Sequence, residues 1–217
     1  MTLTEPDPGR HGPAGAAKDG PRRRRMVQGR GADKQRRMVE AAAALLIDDG
    51  FAAVTHRRVA EAAGLPQGSA SYYFPSSAAL VAAAVEAAED VRATAATERA
   101  GALAHRHRSA LTVARLLIEV LYAPHVDDTV VTRRLDPMTT AMRDPALQPI
   151  MRRSRPRLLA AVRTVLEASG CAPAEPDDVD LLAHLVDAAL LTAASAGSAR
   201  VLDRAAATVA RLLERWR

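Results

Sequence analysis

From Lys34 onward, apolar residues recur every three or four positions in one segment after another, the period of amphipathic helices. The first segment runs from Lys34 to about Asp49, with Met38, Ala42, Leu45 and Leu46 on one face and Asp33 as its expected cap. Gly50 stops it, and Phe51 closes the corner. In the next piece Val59, Ala62 and Ala63 share a face, Thr55 is placed to cap, and Val54 stands at staple spacing from Val59. Gly64 tolerates the left-handed conformation that ends a helix, and Pro66 presets the first turn of a short second piece, Gln67 to Tyr73. Phe74 is expected to complete this small core. Ser76 then caps a longer helix, about Ser77 to Glu98, with Leu80, Ala84, Val85, Ala88 and Val91 as its stripe.

The periodicity continues to the end of the chain. Leu103 to Tyr122 carries Leu111, Leu116, Leu117, Val120 and Leu121, and Pro124 breaks it. A short piece follows from about Thr129 to Met142. Asp144-Pro145 predicts the start of a helix running to Ser169, with Gly170 as its stop. Asp177 or Asp178 opens the next, to Ala196, and Gly197 ends it. The last helix, Ser198 to Arg215, carries Val201, Leu202, Ala205, Val209, Leu212 and Leu213, with Trp216 following. The fold class is therefore all-α. Heavy use of alanine with only 3% aromatics favours helices packed through small side chains.

Charge changes the picture at one end. Residues 1–37 hold ten Lys/Arg against four Asp/Glu, while the remaining residues hold twenty against twenty-one. Residues 1–37 thus carry +6 and the rest −1, so the whole basic excess lies in or just before the first predicted helix, and Arg22 to Arg25 form a run of four. Residues 1–31 are rich in Pro, Gly and charge, and are expected to form a disordered arm. Such an arm follows a DNA backbone or serves as a solvated tail. No apolar run reaches the roughly 18 residues of a membrane span, and the N-terminus has no signal-peptide stretch. The single cysteine, Cys171, predicts a reduced, cytoplasmic setting.

Catalytic and metal chemistry find little support. Cys171 has no histidine at a recognised motif spacing, and no phosphate loop or nucleophile elbow occurs. His105 and His107, two apart, point to different sides of a helix. His125 with Asp127 and Asp128 reads as a solvated loop. No enzyme activity, cofactor or metal is expected. Two short helices around a Gly-containing turn instead describe a helix-turn-helix, whose second helix enters the DNA major groove.

Residues 36–80 resemble the DNA-binding domain of the tetracycline-repressor (TetR) family. The resemblance rests on Ala41, Ala42, Leu45, Gly50, Phe51, Thr55, Val59 and Ala60, then Ala63-Gly64-Leu65, Gly68, Tyr72-Tyr73-Phe74 and Leu80. It implies an all-helical homodimer of about nine helices per subunit. A three-helix DNA-binding domain over 32–79 would precede a ligand-binding and dimerisation domain over 80–217. Two positions depart from the family's pattern. Ser77 stands where a phosphate-contacting Lys is usual, and Pro66 replaces the usual Ser or Thr cap.

The resemblance and the residue chemistry together imply the roles. Gln67 and Ser69 are candidate readers of base edges. Gly68 allows close backbone approach. Tyr72 and Tyr73 reach phosphates or a thymine methyl. Thr55 and Ser77 contact phosphate at helix starts, and Arg57 adds charge. Within the second domain Leu117, Leu121, Tyr122, Met138, Met142 and Met151 are candidate ligand-pocket residues, with His125 and His184 as polar handles. That lining suggests an aliphatic or weakly polar effector. The expected partners are a double-stranded DNA operator, the effector, and a second copy packed through the last two helices. The implied function is a ligand-responsive regulator, in the first instance a repressor released from a pseudo-palindromic operator. A sequence-tolerant DNA binder without effector control, or a helical ligand-binding module that does not read DNA, would share much of this pattern.

Overall fold

The structure is a computed structural model that describes residues 21–171 and 175–215, with the side chains of 21–30, 136–138 and 176 set aside. Among the described residues there are nine α-helices and no strand. They are α1 (Pro21–Asp49), α2 (His56–Ala62), α3 (Gly68–Tyr73), α4 (Ser77–Gly101), α5 (Ala110–Leu121), α6 (Asp128–Arg143), α7 (Gln148–Ala168), α8 (Pro176–Ser195) and α9 (Val201–Arg215). A single 3₁₀ turn, Phe51–Ala53, joins α1 to α2.

The helix starts and stops follow side-chain chemistry. Thr55 and Ser76 each accept a backbone N–H three residues on, at 3.3 and 3.1 Å, and so cap α2 and α4. Gly50, Gly64, Gly170 and Gly197 all have positive φ, each just after a helix. At Gly64 the wrap is a Schellman turn, with Leu65 N–H donating to Ala60 O at 2.9 Å.

Several boundaries differ from those the sequence predicts. α1 begins at Pro21, not at Lys34, with Pro at the first position and the good helix formers Arg22 to Met26 extending the helix backward across Gly29 and Gly31. Asp33 is then no cap, and pairs with Arg36 at 2.5 Å. Residues 1–20 of the expected arm lie outside the described residues. Leu103 to Ser109 is a loop, and α5 starts only after Ser109, whose Oγ accepts from Thr112 N–H. The loop is tied down instead of coiled. Arg106 N–H and Arg108 N–H donate to Ala168 O and Ser169 O, and the Arg108 guanidinium donates to Ala104 O and Ala168 O. After Asp144 a turn precedes α7, with Asp144 Oδ1 accepting from Ala146 N–H. Glu175, not Asp177 or Asp178, stands at the head of α8, and Asp178 closes a capping box. α9 starts at Val201, where Leu202 N–H donates to Asp128 Oδ1 at 2.7 Å. Trp216 lies outside the described residues.

Buried residues form two hydrophobic clusters. One joins Met38, Ala42 and Leu46 of α1 to Val59, Ala60, Ala70, Phe74 and Leu80, and extends to Ala141, Leu147 and Ile150. The other gathers α5, α7, α8 and α9 around Leu117, Val162, Leu182, Leu190 and Val209. The long helix α4 belongs to both: Leu80, Ala84, Val85 and Ala88 enter the first, and Ala93, Ala96 and Ala100 the second. Three expected core positions are exposed: Ala62, Val91 and Leu111. In α2 the inward residues are Val59, Ala60 and Ala63, because the face turned to α1 lies one residue around from the one expected. α4 is bound to α7 by Glu86–Arg153 at 2.8 Å and Asp90–Arg157 at 3.0 Å.

Candidate nucleic-acid interface and ligand cavity

The helix-turn-helix is held together by its backbone and by one histidine. Ser69 N–H donates to Pro66 O at 2.9 Å, so the chain is already helical at Gln67, which precedes α3. His56 Nε2 lies 2.9 Å from Phe74 O and ties the start of α2 to the end of α3. Nothing in the spacing of the sequence marks that contact. Arg37 donates to Ala63 O at 2.5 Å, and its Nη2 lies 3.3 Å from where a Gly64 Cβ would stand. Ala70 and Phe74 are the inward anchors of α3.

With those residues inward, the others face out. Thr55, Arg57, Gln67, Gly68, Tyr72 and Ser77 are exposed, and Ser69 and Tyr73 are half-buried. Tyr72 is 83% exposed, unusual for so large a ring, and meets the Tyr73 ring edge-on at 5.1 Å. Tyr73 turns back toward α1, with its hydroxyl 3.7 Å from the position of a Gly31 Cβ. A Cβ on Gly68 would touch nothing, so no packing within the subunit explains a glycine there. Arg58 is paired with Asp49 at 2.7 Å.

The second feature is a pair of adjoining cavities behind this unit. One, of about 80 Å³, is bounded by Leu46, Ile47 and Phe51 of the first cluster and by α4, the end of α5, α6 and α7. The other, of about 310 Å³, lies between α4, α7 and α8, and Arg92 and Met151 line both. Of the expected pocket residues, Tyr122 and Met151 line the first cavity, and Leu121, Met142, Met151 and His184 line the second. Leu117 is fully buried core away from both, and His125 is exposed. The Met138 side chain lies outside those described.

The expected lining left out charge. Glu89, Arg92 and Arg134 line the smaller cavity, and Arg92, Arg152, Arg155 and Asp187 the larger. Glu89 Oε2 accepts from Arg92 Nη2 at 2.9 Å and from the Ser154 hydroxyl. Arg134 donates to Tyr122 O and Ala123 O, and Tyr122 OH donates to Asp187 Oδ1 at 3.0 Å. Burial, then the charge of Asp187, pushes the Tyr122 phenol well above its usual range. Burial likewise raises the Asp187 carboxyl, and lowers Arg134, which the nearby Arg92 charge lowers further. A signal for α4 was present in the sequence. Extending the Ala84, Val85, Ala88 stripe by one turn lands on Glu89 and Arg92, charges where the period asks for apolar residues.

The raised Asp187 gives a prediction with a definite sign. An aspartate titrating above its usual 3.8 in the folded chain favours the neutral form, so its charged form costs stability. The cost sets in as pH rises through the raised value and is absent below the ordinary range. Asp187→Asn keeps an acceptor for Tyr122. It is expected to raise the melting temperature near about pH 7, with a gain that shrinks toward about pH 4. An equal shift at both pH values would show that desolvation of the carboxylate is not the cause.

Other polar clusters are accounted for by structure. Asp127 caps α6, accepting from Thr129 and Val130 N–H at 2.9 Å each. Among the described residues no three His, Cys, Asp or Glu side chains gather as a metal site, and no helix is long and apolar enough to cross a membrane.

With this geometry in view, the similarities are specific. Residues 38–84 match the family model for bacterial regulatory proteins, tetR family. Solved structures share the fold. The multidrug binding protein EbrR, complexed with proflavin, is 23% identical over 85% of this chain and 99% of its own, with a TM-score of 0.58. A TetR-family member from Streptomyces coelicolor A3, SCO1917, is 23% identical over 84% and 97%, with a TM-score of 0.52. NemR of E. coli, in its reduced form, is 17% identical over 81% and 95%, with a TM-score of 0.56. No curated protein sequence matches the chain. The chain carries the tetR-family N-terminal domain and, over most of its length, the fold of solved tetR-family proteins. That match falls on the residues between 36 and 80 that carry the sequence resemblance.

Proposed function

We propose that the chain is a ligand-responsive repressor, acting as a homodimer on a pseudo-palindromic operator. In this reading residues 32–79 form the DNA-reading unit and 80–217 the ligand-binding and dimerising unit. Gln67 and Ser69 meet base edges, Gly68 lets the backbone come close, and Tyr72, Tyr73, Thr55, Arg57 and Ser77 meet the sugar-phosphate surface. Pairing of subunits through the last two helices is supported by the outward face of α8, where Leu181 and Leu191 are 54% and 49% exposed at helical spacing from Ala188.

One observation carries the regulatory part. The smaller cavity is walled at once by Leu46, Ile47 and Phe51, which belong to the helix-turn-helix core, and by α4 to α7. A molecule entering there presses on the joint between the two clusters. Because α4 is bonded to α7 and shares the first hydrophobic cluster with Ala70 of α3, a displacement of α4 would change the spacing of the two recognition helices. A near-complete switch requires a preference for the displaced state of about 5 kcal/mol.

Selection by the full-length chain from a random duplex pool tests the DNA half of the proposal. The expected product is an inverted repeat with half-site centres about 34–36 Å apart. A pool that stays random while binding DNA would identify a sequence-tolerant binder. A chain that retains no duplex at low salt would be a ligand-binding module.

A further inference from the structure

We propose that the effector is a small organic anion, a carboxylate or similar oxyanion on an apolar body, seated between Arg92 and Arg134. The inference rests on reading the paired cavities as the effector site.

The argument begins with unmatched donors. Arg92 Nε and Arg134 Nη2 are buried and have no hydrogen-bond partner. Buried donors of this kind are rare, because each loses its water without gaining an acceptor. Both guanidiniums line the same cavity. Charge adds a second, independent argument. The one carboxylate in that cavity, Glu89, is already held by Arg92 and Ser154. Arg134 bonds only to the neutral carbonyls of Tyr122 and Ala123, and among the described residues no carboxylate pairs with it. In the lining of that cavity two cations therefore stand against one carboxylate, with Asp48 and Asp127 acting on Arg134, and Asp187 on Arg92, from outside it. Burial lowers Arg134 first, and the Arg92 charge lowers it further.

An incoming oxyanion resolves both defects together. It accepts from Arg92 Nε and Arg134 Nη2, and it restores charge balance. A neutral hydroxyl would supply an acceptor but leave the excess charge. A cation would add a third positive group. The adjoining larger cavity, with Leu121, Leu158, Leu159 and Ala183 on its wall, accommodates the apolar body. A planar aromatic cation is poorly matched to this lining, in which Phe51 and Tyr122 are the only aromatic rings.

The test uses matched probes and no DNA, so it stands apart from the operator experiment. The purified full-length chain is titrated calorimetrically with octanoate, salicylate and 1-naphthoate. Each is set beside the alcohol and the amine of the same carbon skeleton. At least one carboxylate is expected to bind at least about tenfold more tightly than its two counterparts, the scale of a charge-assisted pair. It should also raise the melting temperature. Arg134→Gln should abolish that preference, and Arg134→Lys should restore part of it. Thermal melting of each variant checks that it is folded. Amine or alcohol binding equal to or tighter than every carboxylate overturns the inference, as does failure of all three carboxylates to bind. An undiminished carboxylate preference in folded Arg134→Gln overturns the seat between the arginines.

Discussion

Replacing Tyr72 with alanine is expected to weaken binding to the selected operator by about 10- to 100-fold and to leave the fold nearly as stable as before. The two halves of that result have separate causes. Tyr72 is 83% exposed, and its one ring contact is the edge-on Tyr73. Truncation therefore removes little buried area, and the exposed pair contributes on the order of 1 kcal/mol or less. A ring standing alone beyond the surface next to a Gly with open space over it has no structural task within the subunit. Against DNA it would be a rigid amphipathic anchor, the kind of side chain whose loss typically exceeds about 2 kcal/mol at an interface. In the proposed dimer the loss would count twice. Fluorescence anisotropy on the operator duplex, with melting curves of both proteins, measures the two halves. Phe74→Ala is the contrast, since Phe74 is buried and its loss should lower stability by about 3–5 kcal/mol. Unchanged affinity in Tyr72→Ala would remove α3 from the DNA interface.

The sequence was most legible where a local rule decides the outcome. Thr55, Gly64, Pro66 and Ser76 each act on the backbone within a few residues of themselves, and the turns they imply are the turns found. The apolar period located α2 to α4 and the burial of Met38, Ala42, Phe74 and Leu80 for the same reason. Outcomes decided by distant partners were less legible. The segment after Leu103 has helical period, yet its N–H groups bond to the end of α7, about sixty residues on in the chain. Asp128 looks like loop acidity, and its carboxylate holds the start of α9. Apolar character alone points to Met and Leu as pocket lining, but Leu117 belongs to the core, and the charged Glu89, Arg92, Arg134 and Asp187 line the cavities. A charge inside a small-residue stripe marks a buried site more sharply than another apolar residue does, since burying it unpaired is so costly.

Changing Leu181 and Leu191 together to lysine is expected to convert the proposed dimer to a monomer and to lower operator affinity by about 100- to 10,000-fold. Both leucines lie on the exposed side of α8, while Leu182, Val186 and Leu190 on the other side fill the core of their own subunit. The substitutions therefore leave intramolecular packing intact, and far-UV circular dichroism should not change. Covering a leucine fully contributes about 1.5–3 kcal/mol, and a two-fold axis brings each of these leucines into the contact twice. Four lysines at the same place would be desolvated and held near like charges. The affinity loss exceeds that of any single DNA contact because the second half-site is no longer delivered at high local concentration by the first. Sedimentation velocity and operator titration, run on the same samples, separate the two steps. A double variant that stays dimeric with full affinity would place the subunit contact elsewhere. A variant that becomes monomeric yet binds a full operator as tightly would show that one recognition helix suffices, and the spacing mechanism for effector release would fall with it.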